Sequence, residues 1–530
     1  MTNYSSAKES VRREADAMVI RRPVITAVWW CLLFALFIPI WSFPYFPSSD
    51  GPSHLFNAYV FVNYEHVPVF QKVYSLHVPT AGNLAGHGLA ILFMKAGLPW
   101  DVCEKLLVTI CIAALALAFY YAVSAIRTVP PLASFLIFPF LYNWPLQMGF
   151  WSFSLGVPFL FVCAGLVLRN HGRWRARPLI WLFLVAGGAY ICHPIAWAVC
   201  ALTVAIMAVG TEGRQLFHGP ERGKAFVQIV LPVAVFVPFA IPNALFAEQN
   251  ALVEWQHFTS IRTFLWPLYT DTPLHLFAAD SRPARALFLV LVLASIGNFA
   301  RKIRKRNLQT ADVLLPPFLI LLGLGLVSPG RIGEGTFIAV RLLLFGYLLW
   351  ALWLVMTLPR RAVPVAASIA VLFTAWLVVA RLPAWRAANR SLTEIVALGR
   401  SVPANAFVCQ LDFLPQTETV RPLDHVIDLL PAKNIVDVRD YEAGRYAFWT
   451  RFRPGYFLDE NYIRVSSQRD FEGALNRFEQ RTGKHIDFLV LTEMTKPPDA
   501  TLRSVLPARW KEYQLVRAAP PAVAIYRYAQ

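Results

Sequence analysis

Val24-Ile25-Thr26-Ala27-Val28-Trp29-Trp30-Cys31-Leu32-Leu33-Phe34-Ala35-Leu36-Phe37-Ile38-Pro39-Ile40-Trp41-Ser42-Phe43 runs without a charged residue, and Pro44-Tyr45-Phe46-Pro47-Ser48-Ser49-Asp50-Gly51-Pro52-Ser53-His54 follows at once. A hydrocarbon layer about 30 Å thick is crossed by about 20 apolar residues in a helix. A helix satisfies every backbone N–H and C=O internally where no water can do so. Arg12, Arg13, Arg21 and Arg22 precede the run, and a polar stretch opening on Asp50 follows it. The first segment therefore predicts a membrane span with a basic inner side.

Similar runs recur. The candidate spans are Val24–Phe43, Asp101–Ile126, Leu132–Tyr142, Phe150–Leu168, Pro178–Ile191, Ile195–Val209, Ala225–Phe246, Ala284–Phe299, Val313–Val327, Phe337–Met356 and Val363–Ala380, about eleven in all. They explain a composition that is 57% hydrophobic and only 15% charged, where a soluble chain carries about 25%. The formal charge of +17 comes from clusters between these runs. The basic residues fall in alternate loops: Arg127; Arg169, Arg173, Arg175 and Arg177; Arg214, Arg222 and Lys224; Arg301, Lys302, Arg304, Lys305 and Arg306; Arg360 and Arg361. Lys and Arg mark cytoplasmic loops, so the pattern predicts an inward N-terminus and an outward C-terminal tail. The charge needs no nucleic acid to explain it. Six of the seven cysteines lie in or beside apolar runs and no C-x-x-C pair occurs, so neither a zinc site nor a disulfide framework is indicated. No A-x-A site follows the first run, which argues against a cleavable signal.

The fold class is thus a polytopic α-helical membrane protein with a soluble mixed α/β domain. Residues 1–23 form a cytoplasmic segment, 24–382 the membrane domain and 383–530 the extracytoplasmic domain. Two long outer loops, 44–100 and 247–283, are the segments expected to carry function. Within the first, Asn83–Leu98 is apolar but broken by glycines, as in a re-entrant or interfacial helix. In the tail, Ala406–Phe413, His485–Leu491 and Val523–Tyr528 have strand composition, and Ser391–Leu398 and Phe471–Arg481 are expected as helices.

Asp50 sits where the first span emerges, at the start of a helix continuing through Tyr59. An i, i+4 spacing puts His54 on its face. The plain alternative is that Asp50 only caps that helix, with Pro52 just after it. With its inward N-terminus, first span, acidic residue opening a long outer loop, further spans and outward domain, the chain resembles the GT-C superfamily of membrane glycosyltransferases. That resemblance implies a polyprenyl-phosphate-linked sugar as donor, transfer outside the cytoplasm, and Asp50 as general base or metal ligand. Many members carry a paired acidic motif; here Gly51 follows Asp50 and Glu65 is the next acidic residue, so a divalent metal stays an open cofactor.

The chemistry of the residues is compatible with this. Glycosyl transfer needs a carboxylate to take the acceptor proton and a cation for the leaving phosphate. Arg341, about 7.5 Å inside its helix, is an intramembrane arginine and so a functional candidate by default; its alternative is a snorkelling or ion-paired side chain. Arg331 is a second phosphate candidate. His54, Glu65, His87, His193, Glu254 and His257 are further substrate-binding candidates, with no spacing typical of a metal site. The Arg439–Tyr446 stretch with Trp449, Arg451 and Arg453 fits domain packing better than sugar binding. The expected partners are a lipid-linked sugar donor, a glycan, lipid or protein acceptor, and membrane lipids, in a bacterial inner membrane. A transporter or flippase is the alternative class, although no inverted repeat is visible; a non-catalytic scaffold is a third. The topology is checked at Cys409, the one cysteine of the tail: an impermeant thiol reagent should label it from outside the cell, and labelling from the cytoplasmic side reverses the orientation.

Overall fold

The computed structural model describes residues 23–77, 82–249, 253–254, 265–266, 268–269, 273–306, 308–332, 335–413, 420–429, 434–439, 449–458 and 471–529. Among them, eight helices are long and apolar enough to cross a membrane: Pro23–Ser42, Trp100–Val123, Trp151–Asn170, Pro194–His218, Ala278–Lys305, Thr310–Val327, Ile338–Thr357 and Arg360–Gly399. A ninth arises if Arg222–Ala234 and Val237–Ala244, bent by 45°, count as one span. The bend has a local cause. Pro238 lacks the N–H that would bond the carbonyl of Ala234.

The eleven expected segments are thus all helical, but they differ in kind. The segment expected over Leu132–Tyr142 is the helix Pro130–Phe140. Its second half is 3-10, contains Pro139, and is buried from Phe135 to Phe140. It is an interior element rather than a lipid-facing one. The segment expected over Pro178–Ile191 is Ala176–Cys192, 17 residues or about 25 Å.

The helices Trp151–Asn170 and Ile338–Thr357 are buried along most of their length. The others surround them and turn large apolar side chains such as Leu293, Ile296, Leu372 and Val379 outward. Such a surface is stable where lipid covers it.

The tail forms a five-stranded mixed sheet in the order Val436–Asp437, Phe407–Asp412, Phe488–Thr492, Val523–Tyr528, Tyr513–Ala519. The first three strands are parallel and the last two antiparallel. Strand Phe488–Thr492 is buried throughout, as a strand covered on both faces should be. The helix Phe471–Thr482 lies where it is expected. Ser391–Leu398, in contrast, is no separate helix. It is the end of Val363–Gly399, 37 residues long, or about 56 Å. Leu377, Arg381, Trp385, Asn389, Leu392 and Ile395 form one buried stripe along it, so the same face serves first the membrane core and then the soluble one.

The long loop after the first span also belongs to both. In the helix Gly51–Asn63, Leu55 and Ala58 join the membrane core. Phe56 and Val60 join the soluble core together with Val67, Phe70, Val73 and Tyr74. Strand Tyr74–Leu76 pairs antiparallel with Thr450–Phe452. The glycine-broken stretch becomes the helix Ala85–Lys95, 11 residues, too short to cross a bilayer. Cys409 is fully buried in its strand, so a labelling reporter belongs on an exposed side chain instead. Lys511 is one; Lys511→Cys should react with impermeant maleimide in intact cells, and reaction only in inverted vesicles would place the domain inside.

Candidate active site

Asp50 is held by backbone contacts before its side chain does anything. Its N–H donates to the carbonyl of Met148 at 2.7 Å, and the N–H of Ser49 donates to that of Gln147 at 3.3 Å. The Gln147 amide donates back to the carbonyl of Pro47 at 2.5 Å, and Ser48 Oγ donates to Glu104 at 2.5 Å. The partner segment is a short helix, Trp144–Met148, capped by Asn143 and ended by Gly149 in the left-handed conformation. Gly149 is required twice over. Its φ is +93°, and a Cβ there would lie 2.3 Å from the backbone nitrogen of Gly51. Gly51 is equally confined: its own Cβ would meet Ser48 Oγ at 2.1 Å and Glu104 Oε1 at 2.5 Å. Two glycines in contact thus bring the Asp50 backbone closer to the Trp144–Gly149 turn than other residues would allow.

Asp50 occupies the N-cap position of Gly51–Asn63, but its side chain makes no cap hydrogen bond. The capping alternative therefore does not describe the geometry. Instead Oδ1 faces Nε2 of His425, from the soluble domain, at 3.9 Å.

Three of the expected histidines collect around this point. His54 Nδ1 lies 3.2 Å from His87 Nε2, with the rings edge to face. One ring donates its N–H and the other accepts. Burial and then the Arg341 charge depress the His54 pKa to about 3. Burial and then His54 hold His87 well below the ordinary imidazole value. Both rings are neutral at pH 7. Arg341, itself buried, donates to His193 Nε2 at 2.8 Å and lies over the rings of Phe150 and Phe153 at 4.4 and 5.3 Å. His193 Nδ1 accepts from the N–H of Ile195 and so also caps the helix Pro194–His218. A neutral imidazole has one acceptor nitrogen, so the arginine and the helix end compete for it.

Asp50, His54, His87, His193 and Arg341 therefore belong to one neighbourhood. The others do not all join it. Glu65 is exposed beyond the far end of its helix, about 20 Å along the axis from Asp50. Glu254 and Arg331 meet in an unexpected way, as directly paired residues of two short antiparallel strands, Val253–Glu254 and Arg331–Ile332. His257 lies outside the described residues, as do Asp440–Ala447. Trp449 packs its ring on Phe61, and Arg453 donates to the carbonyls of Gln71 and Tyr74. These are packing contacts between the first loop and the tail.

Two site residues escaped the sequence. Glu104, fully buried, sits under the Asp50–Gly51 peptide. Its signal was available, because Glu104 and Lys105 are adjacent ionisable residues inside an apolar run. His425 had no local signal. Among the described residues, no group of three or more His, Cys, Asp and Glu side chains is arranged to hold a metal.

Gly149→Ala combines about 1–2 kcal/mol of left-handed strain with a contact that must displace Gly51. It should lower the melting temperature in detergent by several degrees. Gly223→Ala, whose Cβ meets nothing, should not, and equal melting of the two variants would refute the constraint.

No family model and no curated protein matches the chain. Two solved structures do, both of the arabinofuranosyltransferase AftD from Mycobacteria. A mutant form is 15% identical with a TM-score of 0.50, over 96% of this chain and 41% of that one. The other is 14% identical with a TM-score of 0.47, over 96% and 40%. The chain thus spans about two fifths of the length of the proteins it resembles, and at this identity the likeness concerns architecture. What the chain shares with that protein is its fold.

Proposed function

We propose that the protein transfers a glycosyl group from a polyprenyl-phosphate donor to an acceptor hydroxyl on the extracytoplasmic side of the membrane. The observation that carries this is Asp50: its backbone is fixed on the Trp144–Met148 helix, its side chain is partly open and not used as a cap, and one turn along its helix His54 lies within reach of the buried Arg341 charge. Asp50 is the general base for the acceptor, and Arg341 binds the donor phosphate as it leaves. His54, His87 and His193 line the space between. The resemblance to an arabinofuranosyltransferase makes polyprenyl-phosphoryl arabinofuranose the first donor to assay.

In this reading the Lys and Arg clusters mark the inner loops, and the soluble domain lies outside. Glu254, paired with Arg331 in the strand register, is a substrate contact in this reading. Arg331 is a second donor contact, Glu65 and His257 are peripheral acceptor contacts, and the acceptor is a glycan, lipid or protein of the envelope.

Asp50→Asn keeps the shape of the side chain and removes the base. It should fold with normal membrane yield and lose transfer by about two to four orders of magnitude. Undiminished transfer by this variant would leave Asp50 as a structural residue and reopen the transporter and scaffold alternatives.

Arg341 tests the other half of the site. A charged hydrogen bond contributes about 1.5–3 kcal/mol, so Arg341→Met should raise the donor KM or Kd by roughly tenfold to a hundredfold. Unchanged donor binding in a well-folded Arg341→Met protein would remove the phosphate assignment.

A further inference from the structure

Among the described residues, the segment 420–429 brings the soluble domain to the site. Its position is determined at both ends. Inside the domain, Gln410 of the central parallel strand donates to the carbonyl of Leu423 at 2.5 Å and accepts from the N–H of Ile427 at 3.3 Å. Across the boundary, the N–H of Arg421 donates to Ser49 Oγ at 2.7 Å, one residue before Asp50. Between these anchors His425 places Nε2 at 3.9 Å from Asp50 Oδ1 and Nδ1 at 3.8 Å from Asp428 Oδ2. The Asp428 carboxylate is fully enclosed, whereas Asp50 and His425 are partly open. The order is then acid, imidazole, acid, running from the domain interior to the exposed edge of the site.

We propose that the soluble domain completes the active site, with His425 relaying the proton that Asp50 takes from the acceptor and Asp428 orienting the His425 ring. This rests on the glycosyltransferase reading and names a partner for its base. Asp428 would take the Nδ1–H of a neutral imidazole, leaving the Nε2 lone pair to accept from Asp50 once that carboxylate carries the acceptor proton. Such contacts are commonly long before substrate binds and shorten in the reacting complex. In the reaction, the acceptor oxygen forms its bond to the anomeric carbon as the bond from that carbon to the donor phosphate oxygen breaks. The electron pair leaves on the phosphate. The acceptor proton goes to Asp50 and then to His425 Nε2, which restores the carboxylate and later releases the proton to water.

The groups facing His425 fit this role. Asp50 and His54 come from the first loop, Asp424 and Asp428 from its own segment, and Arg439 from just beyond a neighbouring strand. Burial is the main cause that lowers its pKa to about 4, with Asp424 opposing and Arg439 and His54 adding to it. The ring is therefore unprotonated at pH 7, and it passes on rather than keeps a proton taken from Asp50.

The test uses the purified full chain with polyprenyl-phosphoryl arabinofuranose, or whichever polyprenyl-phosphate sugar the wild type accepts. Loss of an outer-shell partner costs about tenfold to a hundredfold in activity. His425→Ala should lower kcat by that amount, leave the donor KM and melting temperature unchanged, and recover at least tenfold when imidazole is added. Unchanged kcat, or a loss that imidazole does not restore, overturns the role of His425. Asp50→Asn run in parallel separates the two conclusions. If it is inactive while His425→Ala is fully active, only the present inference fails; if it retains full transfer, the glycosyltransferase reading fails first.

Discussion

One face of the last long helix holds the site in place from more than 300 residues away. Arg381, Trp385 and Asn389 are each one turn apart on Val363–Gly399, and each makes a polar contact to a different distant segment. Arg381 pairs with Asp280 at 2.6 Å and donates to the carbonyls of Tyr142 and Leu274. Trp385 donates to Gln147 at 3.2 Å, and Asn389 accepts from the N–H of Tyr45 at 3.0 Å. These partners flank the strand-like contact that fixes Asp50. Both charges of the Arg381–Asp280 pair are enclosed, which would be costly if either lacked hydrogen bonds. Neither does: Asp280 also accepts from the N–H groups of Leu276 and Phe277. Removing one partner of such a pair costs about 3–5 kcal/mol, so the polar stripe is a structural requirement rather than an ornament of the helix.

The contacts tie the order of events in the sequence to the order in space. Gln147 binds Trp385 with its oxygen and Pro47 with its nitrogen, so a single amide joins the last helix to the loop that carries Asp50. Gly149 then sets how closely that loop can approach. The helix Gly51–Asn63, starting from this point, divides its side chains between the membrane and soluble cores. A change in the packing of either core is therefore transmitted to the carboxylate at its first turn.

The charge pattern of the site is economical. His54 and His425 stay neutral at pH 7, chiefly because burial disfavours the charged ring, with Arg341 and Arg439 adding to the effect. With the imidazoles neutral, Asp50 is not neutralised by a protonated ring, and burial strengthens the field of Arg341. An acid–base reaction beside a phosphate leaving group is what such an arrangement favours under the proposed function.

The apolar runs, their helical nature and the position of Asp50 after the first span were legible in the sequence, because hydrocarbon permits few backbone conformations. Strand composition likewise located Phe407–Asp412 and Val523–Tyr528, whose side chains need burial on both faces. Even the choice of Arg341 followed from the cost of an arginine in an apolar run. The amino-acid order could not reveal that Pro130–Phe140 is an interior element or that Val363–Gly399 continues unbroken into the soluble domain, since both depend on what packs alongside. Nor could it place His425, which lies 375 residues after Asp50 and has no periodic or motif signal. Periodicity and composition are local properties and were determined by the sequence alone. The meeting of Asp50 and His425 depends on two cores sharing one helix and on two glycines in contact, and only the tertiary structure decided it.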